Sequence, residues 1–279
     1  MFLRIRKLFP IFVLVLLGVS CNEYQKVLKN EDIKAKYEMA EAYYNEGDFK
    51  RGLRLFEQIA PKYIGKPQGE RVMFFLANSY YKQKDYNTAT YQFERFIKSY
   101  PKSEKLAEAS FLGAKSTYQL SPVYSLDQTD TDKALSKLQT FINSYSDSEY
   151  FAEANIMAQE LTQKKEKKAY EIAKQYNKLG KFDYTFLTPA IAAFDNFLSD
   201  YPGSIFREEA MFYRFQSATE LGLNSLNRLK KERFESAKKH YATLMKQFPE
   251  TKFKEDADRL LEDINKEMQV MVGDTATTK

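Results

Sequence analysis

Apolar and polar positions recur along this chain in a pattern that is typical of paired helices. A small residue is followed four positions later by an aromatic or leucine, then by an aliphatic residue, and then by an aromatic that often precedes proline. The clearest copies begin at Ala89 and Ala190 and end in Tyr100-Pro101 and Tyr201-Pro202. Steps of four and three residues place these side chains on one stripe of an α-helix. Each copy therefore predicts an amphipathic helix, and a Ser or Thr after the proline predicts a cap for the next helix.

Five copies of this pattern divide the chain into units of uneven length. Their central positions are Phe56, Phe93, Leu138, Phe194 and Tyr241. A second helix precedes each copy, with its own stripe, as at Met73, Leu76 and Tyr80. A single helix pair cannot bury its apolar stripe, so neighbouring pairs must stack. The pattern predicts an all-α fold, a tetratricopeptide-like solenoid of about five helix pairs.

The spacing of the copies also predicts the domain organisation. Residues 33–147 would form units 1 to 3, and residues 148–270 would form a long helix followed by units 4 and 5. No proline or glycine occurs between Ser148 and Leu179, which favours one long helix joining the two halves, ended by Gly180. The polar, aperiodic residues 271–279 predict a disordered tail.

The N-terminus predicts export and a lipid anchor. Arg4, Arg6 and Lys7 precede an apolar run that is too short to span a bilayer, and small residues lead to Cys21, the one cysteine of the chain. Residues 1–20 would be a lipoprotein signal peptide, Cys21 the lipidated residue, and residues 21–32 a tether. The alternative is an ordinary secretory signal that leaves a free thiol.

Composition and motifs favour a binding protein over an enzyme. Removing the signal peptide lowers the net charge from +5 to +2, which argues against a nucleic-acid partner. The sequence lacks a phosphate-binding glycine loop, zinc-type cysteine spacing and the HExxH motif. We therefore expect no catalytic residues, no metal site and no cofactor.

The first helices of units 1 and 2 carry a second stripe that suits peptide binding. Its residues are Tyr37, Glu41 and Tyr44 in unit 1, and Phe74, Asn78 and Tyr81 in unit 2. In stacked helix pairs this face lines the concave groove, where aromatic side chains offer contact area at low entropic cost. The alternative is that residues 22–32 fold back and pack against the same stripe.

The lipid cysteine, the five uneven copies and the insertion before Ala134 together resemble the BamD family, the lipoprotein component of the outer-membrane β-barrel assembly machine. The resemblance implies a non-enzymatic protein, lipid-anchored in the outer membrane and facing the periplasm. Its C-terminal units would bind the periplasmic domains of a BamA-like β-barrel insertase, and its N-terminal units would receive unfolded barrel precursors. The alternative is a tetratricopeptide-type periplasmic adaptor of a cell-envelope or division complex.

Overall fold

The computed structural model describes residues 23–277, with side chains over residues 23–271, and this part of the chain is helical without any strand. Residues 23–29 form α1. The helices that follow are α2 (Ile33–Asn45), α3 (Phe49–Tyr63), α4 (Gly69–Lys82), α5 (Tyr86–Ser99), α6 (Leu106–Leu120), α7 (Thr129–Ser144), α8 (Phe151–Gly180), α9 (Leu187–Asp200), α10 (Arg207–Leu223), α11 (Asn227–Gln247) and α12 (Lys254–Thr277). A short 3-10 helix, Tyr184–Phe186, precedes α9. None of the described helices is long and apolar enough to cross a membrane.

Side chains at the turns begin many of these helices. The Asp48 and Asp85 carboxylates accept hydrogen bonds from the backbone N–H groups of Arg51 and Thr88, both at 3.1 Å. Such caps satisfy donors that the first helical turn leaves unpaired. After the Tyr-Pro turn, Ser103 Oγ accepts from the Lys105 N–H at 2.9 Å and donates to Glu70 at 2.6 Å. The serine therefore orders the turn before α6 and ties it to α4, although no side chain caps the N-terminus of α6 itself.

The chain forms two compact units. Unit 1 contains the described residues up to Pro122 together with Asp127–Gln159. Consecutive helices pack on one another from α2 to α7. The central residues of the repeat are fully buried here, as predicted: Phe56, Phe93 and Leu138.

Unit 2 contains Val123–Leu126 and the described residues from Glu160 onward. Its core is rich in aromatic side chains, and α10 packs against α9, α11 and α12. Tyr170 of α8 stacks on Phe206 with ring centroids 4.7 Å apart. Phe194, the repeat centre of α9, is fully buried.

The predicted all-α fold of helix pairs is confirmed, and α8 is the long helix expected between the two halves. The division between the compact units falls inside α8, after Gln159, and not at residue 147. Gly180 is the last residue of α8, but its φ is not in the left-handed region that a glycine cap would require. Its role is close packing, because a Cβ there would lie 2.3 Å from Leu187 Cδ2.

Both ends of the described chain differ from the boundaries expected from the sequence. Residues 23–29, expected to be part of a tether, form a helix whose Tyr24 is buried in the core of unit 1. Helix α12 continues to Thr277, into the segment predicted as a disordered tail. This segment contains no proline that would interrupt the backbone hydrogen bonds, and it contains only one glycine, which weakens a helix without ending it. The signal peptide and Cys21 lie outside the described residues.

Candidate functional site: a row of polar and aromatic side chains in unit 1

The candidate site is a row of polar and aromatic side chains along unit 1, which we call the row. Tyr44 and Asn78 form its centre. They lie on the first helices of the first two pairs, α2 and α4, and Asn78 Nδ2 donates a hydrogen bond to Tyr44 Oη at 2.5 Å. The Tyr44 ring stacks on Phe75, with centroids 4.1 Å apart. Burial raises the pKa of Tyr44, and the hydrogen bond from Asn78 partly offsets this rise. The hydroxyl therefore stays protonated at neutral pH and holds two neighbouring helices together.

Tyr37 and Glu41 lie about two turns and one turn before Tyr44 on α2. The Glu41 carboxylate forms an ion pair with Arg71 of α4. The Tyr37 ring contacts Tyr63, with centroids 5.5 Å apart, so part of its surface is already covered. Burial, followed by the charge of Glu41, raises the pKa of Tyr37. Together these contacts place one acidic and one basic group at the α2 end of the row.

Tyr81 extends the row toward α6. Its ring contacts Tyr86 at a centroid distance of 5.8 Å, and burial raises the pKa of its hydroxyl while Lys115 of α6 lowers it. Lys115 Nζ lies 2.7 Å from Glu153 Oε1 of α8. Burial works to lower the pKa of Lys115, but its hydrogen bonds and charge interactions with Glu153 and Tyr81 together outweigh that effect and raise the pKa. Lys115 therefore remains a cation beside Tyr81.

Phe74 does not belong to this surface, in contrast to the expectation from spacing. Its side chain is only 4% exposed and packs edge-on against Phe93 and Phe96 of α5. The reason is that adjacent residues of a helix point about 100° apart, and at this turn the neighbouring Phe75 faces Tyr44 while Phe74 enters the core.

Tyr24 of the N-terminal segment makes its ring contacts on another flank of α2. Tyr24 meets Tyr43 edge-on at 5.5 Å, and the Arg51 guanidinium lies 5.7 Å from the centre of the Tyr24 ring. Tyr43 is more than 90° around the helix from Tyr37, Glu41 and Tyr44. These contacts of Tyr24 are therefore not contacts across the row, which was the alternative considered for residues 22–32.

Comparison with known proteins now gives the family. The model of the family described as YfiO, outer membrane lipoprotein, matches residues 29–233 and 183–271, which is most of the chain. The chain belongs to this family. The match confirms the resemblance to the BamD-type lipoprotein that the sequence suggested, and YfiO proteins are outer membrane lipoproteins.

Other comparisons add little to the YfiO assignment. A kinesin light chain protein of Podosopora anserina with nearly identical TPR-like repeats is 13% identical over 88% of this chain and 96% of its own, with a TM-score of 0.33. A computationally designed self-assembling cyclic homooligomer is 15% identical over 96% of this chain and 97% of its own, with a TM-score of 0.24. Scores this low support no argument. No curated protein matches the chain.

The row of this YfiO-family chain offers hydrogen-bonding groups at successive levels along unit 1. Arg71 and Lys115 supply donors, Glu41 and Glu153 supply acceptors, and the Tyr81 hydroxyl can do both. Such a row can bind the backbone amides of an extended polypeptide, while the aromatic rings contact its side chains. The described residues contain no group of three or more side chains suited to hold a metal.

Sequence reasoning missed four residues of the row: Arg71, Phe75, Lys115 and Glu153. Arg71 could have been found, because it lies seven residues before Asn78 and therefore on the same helical face. Phe75 and Lys115 were harder to find, since their roles depend on which of two adjacent aromatics is buried and on how α6 packs beside α4.

Proposed function

We propose that this protein is an assembly factor for outer-membrane β-barrel proteins, a non-enzymatic scaffold that is lipid-anchored through Cys21 and faces the periplasm. It binds the periplasmic domains of a β-barrel insertase and receives unfolded barrel precursors. Membership of the YfiO outer membrane lipoprotein family supports this class of function. The observation that carries the proposal is the row from Glu41 to Glu153 in unit 1, with Tyr44, Asn78 and Tyr81 between them.

The chemistry of the row suits the segment that a barrel precursor presents. A strand of an unfolded barrel protein is extended, has unpaired backbone N–H and C=O groups, and alternates apolar or aromatic residues with polar ones. Hydroxyl, guanidinium and carboxylate groups of the row can pair with that backbone. The exposed parts of the Tyr37 and Tyr81 rings can contact the apolar side chains.

Peptide binding tests the row directly. A double variant, Tyr81→Ala with Lys115→Gln, removes one aromatic contact and one cation from the row while leaving the stacked pair Tyr44 and Phe75 in place. We expect a peptide copied from the last strand of a barrel protein to bind this variant at least tenfold more weakly than the unaltered protein, measured by fluorescence anisotropy.

A matched control is available elsewhere in unit 1. Tyr91 of α5 is exposed, and Lys137 of α7 forms an ion pair with Glu94, so Tyr91→Ala with Lys137→Gln makes the same chemical change on the second helices of two pairs. This control should bind the peptide as the unaltered protein does. Equal affinity of all three proteins would refute the assignment of the row.

Purification of the native lipidated protein from detergent-solubilised envelopes tests the partner. Recovery of a large β-barrel protein with periplasmic repeat domains, in stoichiometric amount, is the expected result. Recovery of division or peptidoglycan-associated proteins without a barrel insertase would instead identify a periplasmic adaptor.

A further inference from the structure

Helix α11 of unit 2 carries a line of cations on one side. Arg228, Lys231, Lys238, Lys239 and Lys246 fall within an arc of about 100° on the helix and extend over about 27 Å of its length. We call these five residues the basic face. All of them are exposed except Lys238, which is half-buried.

The basic face differs from the other cations of α11, because none of its residues forms an ion pair with another described residue. Lys230 forms an ion pair with Glu267 of α12 at 2.8 Å, and Arg233 donates to Ser225. Within the part of the chain that the structure describes, no residue of the basic face takes part in an ion pair. Glu232 and Glu235 lie on the same side of the helix, so five cations stand against two carboxylates and a positive excess remains.

The surface between these cations lacks the anchors of a protein interface. Within this arc the other residues of α11 are Glu235 and Ala242, and no large apolar side chain of α11 is exposed there. The centres of protein interfaces are enriched in aromatic residues and arginine and depleted of lysine. Four of the five residues of the basic face are lysines, which are flexible point charges. A broad, weakly structured anionic surface fits this chemistry better than a protein pocket does.

We propose that the basic face of α11 binds the surface of a membrane that contains anionic phospholipids. Each lysine or arginine near such a surface adds to the electrostatic attraction, and several together give stable adsorption. The chain belongs to a family of outer membrane lipoproteins, so a membrane is within reach of the folded protein. The proposal rests on that membership and on the geometry of α11, and it is independent of peptide binding by unit 1.

Vesicle flotation tests the proposal without the lipid anchor. The protein from residue 22 onward retains every described residue and is mixed at 100 mM salt with vesicles of phosphatidylethanolamine alone or with about one third phosphatidylglycerol. We expect binding only to the anionic vesicles and its loss at 500 mM salt, because salt screens exposed charges. Changing Lys231, Lys238, Lys239 and Lys246 to Gln should weaken this binding at least tenfold while leaving the helical content unchanged by circular dichroism.

A control variant with the same change in net charge separates the face from overall charge. Lys50 and Lys62 of α3, Lys98 of α5 and Lys102 in the turn after α5 are exposed residues of unit 1 that lie outside α11. Their replacement by Gln should leave vesicle binding nearly intact. Equal weakening by both variants would show that net charge alone is responsible and would overturn the proposal. Absence of binding to anionic vesicles would overturn it as well. A basic-face variant that binds vesicles normally, but no longer co-purifies with an acidic protein that the unaltered protein binds, would also overturn the proposal.

Discussion

His240 is the only histidine of the chain and lies on α11 among charged neighbours. The positive charge of Arg214 of α10 acts on it, and that guanidinium donates to the Asp195 carboxylate of α9 at 2.7 Å. Burial, followed by the positive charge of Arg214, lowers the pKa of His240 to about 4, although the Asp195 carboxylate acts in the opposite direction. The folded protein therefore keeps the imidazole neutral at physiological pH.

We expect this histidine to make the fold sensitive to mild acid. In the unfolded chain His240 takes up a proton near pH 6.5, whereas in the folded protein it does so only near pH 4. The stability contributed by the neutral imidazole is therefore complete above pH 6.5 and is lost as the pH falls from 6.5 to 4. The loss should reach about 1 to 2 kcal/mol, since the ring is partly exposed and water screens the effect.

Urea unfolding at several pH values between 7 and 4 measures this loss. The variant His240→Gln keeps a polar group of similar size but cannot be protonated, so its stability should depend less on pH over this window. The difference between the two proteins isolates the imidazole from the carboxylates that titrate nearby. Identical pH dependence of both proteins would contradict the assignment.

At the scale of single residues, the sequence could indicate faces but not contacts. Helical spacing correctly predicted that Tyr37, Glu41 and Tyr44 share one side of α2. It could not decide between Phe74 and Phe75, because two equally apolar neighbours give no signal about which one enters the core. The hydrogen bond between Tyr44 and Asn78 joins positions 34 residues apart, and its geometry depends on how α2 packs beside α4.

At the scale of elements, the close packing of α9 against the end of α8 depends on Gly180. Leu187 is fully buried and lies against this glycine, so a new side chain would have to displace it within a packed core. We expect Gly180→Ala to lower the free energy of unfolding by about 1 to 3 kcal/mol through overpacking, even though alanine favours helix by about 1 kcal/mol.

Gly203→Ala provides the comparison within the same unit. Nothing lies within 4 Å of a Cβ at Gly203, and its φ is not in the left-handed region, so this change should be nearly neutral. Chemical unfolding followed by circular dichroism measures both variants. A Gly180→Ala protein as stable as the Gly203→Ala protein would show that Leu187 can relax.

Most helices could be predicted from the sequence because their stripes, caps and proline ends agree with one another. The end of α12 could not, since a polar, aperiodic segment carries no periodic signal although it can continue a helix. The end of α8 was predicted at the correct residue for an incorrect reason. A glycine after an apolar stripe suggests a left-handed cap, and only the packing of Leu187 shows that the missing Cβ matters more.

At the scale of the whole molecule, each compact unit has its own buried aromatic core, and α8 contributes residues to both units. Phe93 in unit 1 and Phe215 in unit 2 are both fully buried. Replacement of either by alanine should cost about 3 to 5 kcal/mol through the cavity it leaves. Because the core clusters are separate, we expect the loss of protection to remain mostly within the altered unit.

Hydrogen exchange followed by mass spectrometry resolves this expectation peptide by peptide. Phe215→Ala should accelerate exchange in α9, α10 and α11 more than in α3 to α5, and Phe93→Ala should give the reverse pattern. Each variant thus serves as the control for the other. Equal acceleration in both units by either variant would mean that the protein unfolds as one cooperative body, with α8 transmitting the damage from one core to the other.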